Sequence, residues 1–106
     1  MTPATLKHDV FQPIADPTRR ELLRLLVDKD EPIVSLAEHF PITRTAINKH
    51  LAVLSEAGLV TSQKVGRETW YKSQLEPLTE VKEWLSYLEE FWSSKLSALK
   101  GYVEKE

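Results

Sequence analysis

Residues 42–60, ITRTAINKHLAVLSEAGLV, begin in polar and basic residues and end in apolar ones. Thr43 is a residue type that caps a helix through its side-chain oxygen, and Gly58 one that ends a helix by accepting a left-handed backbone. Between them, at about 100° per residue, Ile47, Leu51 and Leu54 fall on one face, with Ala46, His50, Val53 and Ala57 beside them. That face reads as core. The opposite face carries Thr45, Asn48, Lys49, Ala52 and Glu56, with Arg44 at its edge on the first turn. The cations and the amide gather at the N-terminal end, whereas Glu56 sits in the last turn, where the helix dipole disfavours an anion. Helix propensity alone does not select that order. Free N–H groups at a helix N-terminus, joined by an Arg, an Asn and a Lys, suit the phosphates and base edges of a DNA major groove. There Arg pairs with guanine, Asn with adenine, and Thr meets a thymine methyl. Ala52 is small enough to let the helix backbone lie close to such a groove.

Working outward, Ser35 and Glu38 have the spacing of a capping box, which predicts a short helix ended by Phe40-Pro41 because the residue before proline avoids the helical region. With the helix after Thr43 this makes a helix-turn-helix joined by about three residues. Asp16-Pro17 reads as an N-cap followed by proline at the first helical position, opening a helix to about Asp28. Leu22, Leu23, Leu25, Leu26 and Val27 cover about half the circumference of that helix, which predicts a central core element. Leu6–Ile14 reads as a further short helix. On the C-terminal side, Val60–Val65 and Glu68–Lys72 flank Gly66-Arg67 as a two-stranded ribbon with a tight turn. From about Pro77 a long helix runs to near Leu99, with Val81, Leu85, Leu88, Trp92, Leu96, Leu99 and Val103 spaced by threes and fours.

The chain has 106 residues, no cysteine and a formal charge of -2. Its length fits a single domain. The N-terminus lacks the apolar centre of a signal peptide and no run approaches a membrane span, so a cytoplasmic protein with no membrane partner is expected. An acidic chain argues against nucleic acid unless its cations are segregated, and here they are. Residues 43–72 hold Arg44, Lys49, Lys64, Arg67 and Lys72 against only Glu56 and Glu68, while anions outnumber cations on either side. Without thiols, disulfides, thiolate metal sites and Cys nucleophiles are all excluded. The three histidines, His8, His39 and His50, are scattered, and no metal site or cofactor is expected. His50 falls on the apolar face of its helix and reads as a packed, hydrogen-bonded residue. No nucleophile elbow or Gly-rich phosphate loop is present, and an enzyme is not expected. Glu80, Glu83, Glu89 and Glu90 read as the solvated face of the long helix.

The order ADPTRRELLRLL, SLAEHF, AINKHLAVLSEAGLV, KVGRETWY, spanning nearly the whole chain, resembles the ArsR-type winged helix-turn-helix transcription repressor family. The resemblance implies a mainly α fold with a small β-hairpin, ordered as four helices, two strands and a fifth helix. It implies a homodimeric repressor on a palindromic operator, whose groove-reading segment is Thr43, Arg44, Thr45, Asn48 and Lys49 and whose wing tip is Lys64, Gly66 and Arg67. Terminal helices, here residues 6–14 and 77–99, form the family's dimer interface, which places Leu6, Val10, Val81, Leu85, Leu88 and Trp92 there. Many relatives sense metals through a Cys-x-Cys motif. Pro32 and Val34 stand at the corresponding places, and the likeness is to the thiol-free, non-metal-sensing, autorepressor-like branch, which answers to protein or unknown signals.

The residues leave a second class open, a winged-helix module that binds a protein. A polar helix face alone is also what any solvated helix shows. Cations concentrated on both the central helix and the ribbon favour double-stranded DNA, since a protein-binding module has no need of them. Trp84, Tyr87, Leu88, Phe91 and Trp92 exceed what one face of a terminal helix hides, which predicts a homodimer seam. A small-molecule pocket at that seam is the alternative use of the aromatics.

Overall fold

The computed structural model describes residues 9–104. Helix α1 (Pro17–Asp28) opens where expected: Asp16 is extended, its carboxylate accepts the Arg19 N–H at 3.1 Å, and Pro17 occupies the first turn, where no hydrogen bond is lost. Leu22, Leu23 and Leu26 are buried, Leu25 is half-buried and Val27 is exposed. The buried stripe is thus narrower than the leucine run suggests, because only one side of α1 meets the rest of the body.

Two expectations for the N-terminal half fail. The Leu6–Ile14 helix lies partly outside the described residues, and residues 9–12 are not helical; only a 3-10 turn, Pro13–Ala15, forms. Asp9 accepts the Phe11 N–H at 3.0 Å, a local side-chain bond that competes with the helix, and Pro13 has no N–H to continue one. The capping box at Ser35 and Glu38 does not form either. Helix α2 (Ile33–Glu38) is capped at Pro32 and begins three residues before the start a Ser35 cap would set, so both residues lie inside it. The reason is tertiary. Glu31–Pro32 forms a short strand β1 paired with Tyr71 and Trp70, and Ile33 and Leu36 then turn into the core. Five residues, His39–Thr43, separate α2 from α3 rather than three.

Helix α3 (Arg44–Glu56) follows the expected pattern closely. Thr43 Oγ1 accepts the Ala46 N–H at 3.1 Å. At the other end Gly58 takes φ +78°, the Gly58 N–H reaches the Ser55 carbonyl at 3.0 Å, and the Leu59 N–H reaches the Leu54 carbonyl at 2.9 Å. These two bonds are a Schellman cap. Strands β2 (Val60–Val65) and β3 (Glu68–Ser73) pair antiparallel from Val60 opposite Ser73 to Val65 opposite Glu68, and β1 adds to the far edge of β3. In the two-residue turn only Gly66 has positive φ, +67°, the pattern of a type II′ hairpin.

The core gathers α1, α2, α3 and the start of β2, through Leu22, Leu26, Leu36, Ile47, Leu51, Leu54 and Leu59. The last helix stands apart. A 3-10 turn (Glu76–Leu78) contains Pro77, and α4 (Thr79–Glu104) starts later and runs further than the sequence suggests. From Thr79 to Val103 no side chain of α4 is buried.

Candidate nucleic-acid interface

The groove-reading candidates sit together on the first two turns of α3. Thr43, Arg44, Thr45, Asn48 and Lys49 are all exposed, while Ile47 and Leu51 on the reverse face are buried at 0% and 1% exposure. One side of α3 is therefore fixed to the core and the other is free to enter a groove. The Thr43 cap occupies one N–H of the first turn and leaves the dipole there pointing at solvent beside Arg44. Lys64, Gly66 and Arg67 lie at the far end of the ribbon, all exposed, with Lys64 opposite Thr69 in the ladder. Ala52 and Glu56 continue the exposed face of α3 as expected, and Val53, expected beside the core, is 36% exposed.

His50 is half-buried rather than enclosed in the core. Its Nδ1 lies 3.3 Å from a terminal nitrogen of Arg19 and 3.9 Å from the Asp16 carboxylate. The Arg19 backbone N–H, donated to Asp16, holds that carboxyl below its usual range; partial desolvation opposes this, and the Arg19 guanidinium reinforces it. Nothing in the sequence singled out Arg19, whose role comes from a contact across thirty-one residues.

Of the seam candidates, Leu6 lies outside the described residues and Val10 is already buried within its own chain at 2% exposure. Val81 and Leu88 are half-buried, whereas Leu85 is 53% and Trp92 63% exposed. Between α1 and α4 runs an open groove of about 1120 Å³, floored by Leu23, Leu78, Val81, Leu85, Leu88 and Trp92, with Arg20, Arg24, Lys82 and Glu89 also contributing to its lining. Arg24 is paired with Glu21, which lowers the Glu21 carboxyl pKa and raises that of the guanidinium. Phe11, which the sequence did not mark, packs edge-on against Trp84 with centroids 5.3 Å apart and an interplanar angle of 77°. Among the described residues no group of three or more His, Asp or Glu side chains is placed to hold a metal ion. No helix among them is long and apolar enough to cross a membrane.

A helix-turn-helix whose second helix exposes an N-terminal cationic face, followed by a glycine-tipped ribbon, defines a winged-helix DNA-binding module. The sequence profile of the arsR family of bacterial regulatory proteins matches residues 16–62. The chain is 33% identical over 78 residues to the transcriptional repressor SdpR of Bacillus subtilis, covering 74% of this chain and 87% of that protein. It is 34% identical over 94 residues to the HTH-type transcriptional regulator Rv2034 of Mycobacterium tuberculosis, covering 89% and 82%. An ArsR-like transcriptional regulator from Rhodococcus sp. RHA1 superposes with a TM-score of 0.72 at 37% identity, over 100% of this chain and 99% of that one. The chain belongs to the ArsR family and is a DNA-binding transcriptional regulator, not an enzyme.

Proposed function

We propose that this regulator is a repressor that binds an imperfectly palindromic operator as a homodimer. In this reading Arg44 and Asn48 contact base edges, Thr43, Thr45 and Lys49 fix α3 against phosphate and thymine methyl groups, and Lys64 and Arg67 hold the flanking backbone. The observation that carries it is the exposed cationic first half of α3 on a fully buried Ile47 and Leu51. The similarity to a named repressor supports the direction of regulation. The lack of cysteine supports a signal other than a thiolate-bound metal. The exposed apolar face of the long α4 supplies the dimer surface.

The test uses a duplex enriched from random sequence by the wild-type protein, compared with a scrambled duplex of equal length. Arg44→Ala and Asn48→Ala are each expected to lose about 1 to 3 kcal/mol on the enriched site and to relax preference at one position. An Arg44→Ala, Asn48→Ala protein that still prefers the enriched duplex by the wild-type ratio would remove α3 as the reading helix.

The groove between α1 and α4 favours a second reading for its size and apolar floor, a repressor that also takes a small molecule or a protein effector at the seam. Saturable release of the enriched duplex by a compound that binds this groove, with the dimer intact, would establish it.

A further inference from the structure

We propose that Arg19 is a positioning residue for DNA reading, tying helix α3 to the N-terminal segment that packs on α4. This rests on α3 being the reading helix. The Arg19 guanidinium reaches three acceptors in two separate parts of the chain. Nε donates to the Pro13 carbonyl, one terminal nitrogen lies 3.4 Å from the Gln12 carbonyl, and the other lies 3.3 Å from His50 Nδ1. Arginine only donates, so the His50 bond requires Nδ1 to accept and the imidazole proton to sit on Nε2. The Arg19 backbone is itself held by the Asp16 cap, which fixes the root of the side chain.

On one side of this fork, Gln12 and Pro13 directly follow Phe11, whose ring meets Trp84 of α4. On the other, His50 lies next to Lys49 and two residues after Asn48. Trp84, Phe11, the Gln12 and Pro13 carbonyls, Arg19 and His50 thus form an unbroken chain of contacts from the last helix to the reading helix. A displacement of Phe11 by anything that repacks α4 moves two of the three acceptors of the fork. The planar guanidinium then cannot keep its geometry at His50 as well. Coupling between distant sites travels through such contiguous hydrogen-bonded links. Lysine could not replace arginine here, because one ammonium does not span the two backbone carbonyls and the imidazole together.

The test is carried out on the full chain, with the enriched and scrambled duplexes and with sedimentation on the same samples. Arg19→Ala, Arg19→Lys and His50→Ala should each weaken binding to the enriched duplex by about tenfold, leaving scrambled-duplex binding and oligomeric state unchanged. His50→Asn, whose amide oxygen falls near the position of Nδ1, should retain wild-type preference. Arg19→Ala combined with His50→Ala should lose no more than either alone, because both remove one link. Phe11→Ala should weaken enriched-duplex binding in the wild-type background and have no further effect beside Arg19→Ala.

Additive losses in the double variant, or equal losses on both duplexes, would overturn the proposal. If Arg19→Ala does not fold, the His50→Ala and His50→Asn pair decides it, since that half-buried side chain is not part of the core cluster. Should Arg44→Ala, Asn48→Ala abolish preference while the Arg19 and His50 series does not, the link is wrong and the reading helix stands. The converse failure, preference surviving in the Arg44→Ala, Asn48→Ala protein, removes the reading helix itself.

Discussion

Lys64 and Arg67 bracket the tip of the ribbon, and a long cationic side chain there serves phosphate or the minor groove better than a base edge in register. Replacing both with Ala should therefore weaken enriched and scrambled duplexes by the same factor and reduce the slope of log affinity against log salt by about two. Binding titrations at several salt concentrations check this; a loss confined to the enriched duplex would make the wing a reader of sequence. Asp16 acts on stability instead. Asp16→Ala removes the α1 cap and should lose about 1 kcal/mol at neutral pH by urea unfolding. Because the folded-state pKa of Asp16 lies below its ordinary value of 3.8, the contribution is fully present above that value and is lost as pH falls through the depressed one. The gap between wild type and Asp16→Ala should then close on acidification below about pH 4. A gap that stayed constant to the acid limit would mean the carboxylate charge contributes nothing.

Among the elements, α3 and its two ends were the most legible, because every device that builds them is local: the Thr43 hydroxyl, the period of Ile47, Leu51 and Leu54, and the left-handed Gly58. The exposure of the five candidates on α3 was legible for the same reason, since burial of one helix face decides what the other presents, and that of Lys64, Gly66 and Arg67 followed from the turn that Gly66 makes. What escaped was set by distant partners. Strand β1 exists only because Trp70 and Tyr71 pair with Pro32 and Glu31, and that pairing, not Ser35, starts α2. Arg19 likewise looks like any helix cation until His50 is brought beside it. The Schellman cap gives the element-scale prediction. A Cβ at Gly58 would meet only Pro77 Cγ, at 3.8 Å, so a substitution there is strained by backbone conformation and not by crowding. Gly58→Ala should lose about 1 to 2 kcal/mol, and Gly58→Asn less, since Asn enters the left-handed region more readily. Urea unfolding of the pair checks the order; equal losses would point to packing instead.

At the scale of the molecule, the radius of gyration of 18.7 Å exceeds the roughly 13 Å of a compact domain of about this length. The excess lies in α4, which by helix rise extends about 39 Å with none of its side chains buried through Val103. Phe91, Trp92, Leu96 and Leu99 are each about half exposed or more, a surface that a monomer in water has no reason to keep. A second copy covering it would also repeat α3 on a second half-site, spaced by about one DNA turn or a multiple of it. Helix α3 of a monomer would remain folded, because the core of α1, α2, α3 and β2 contains no residue of α4. Leu88→Glu, Trp92→Glu should accordingly be a folded monomer whose affinity for the enriched duplex falls to the weak, salt-sensitive level of scrambled DNA. Circular dichroism, sedimentation and DNA titration on one preparation test fold, assembly and reading together. A folded monomer with wild-type affinity would assign the aromatic face of α4 to an effector and leave each chain to read its site alone.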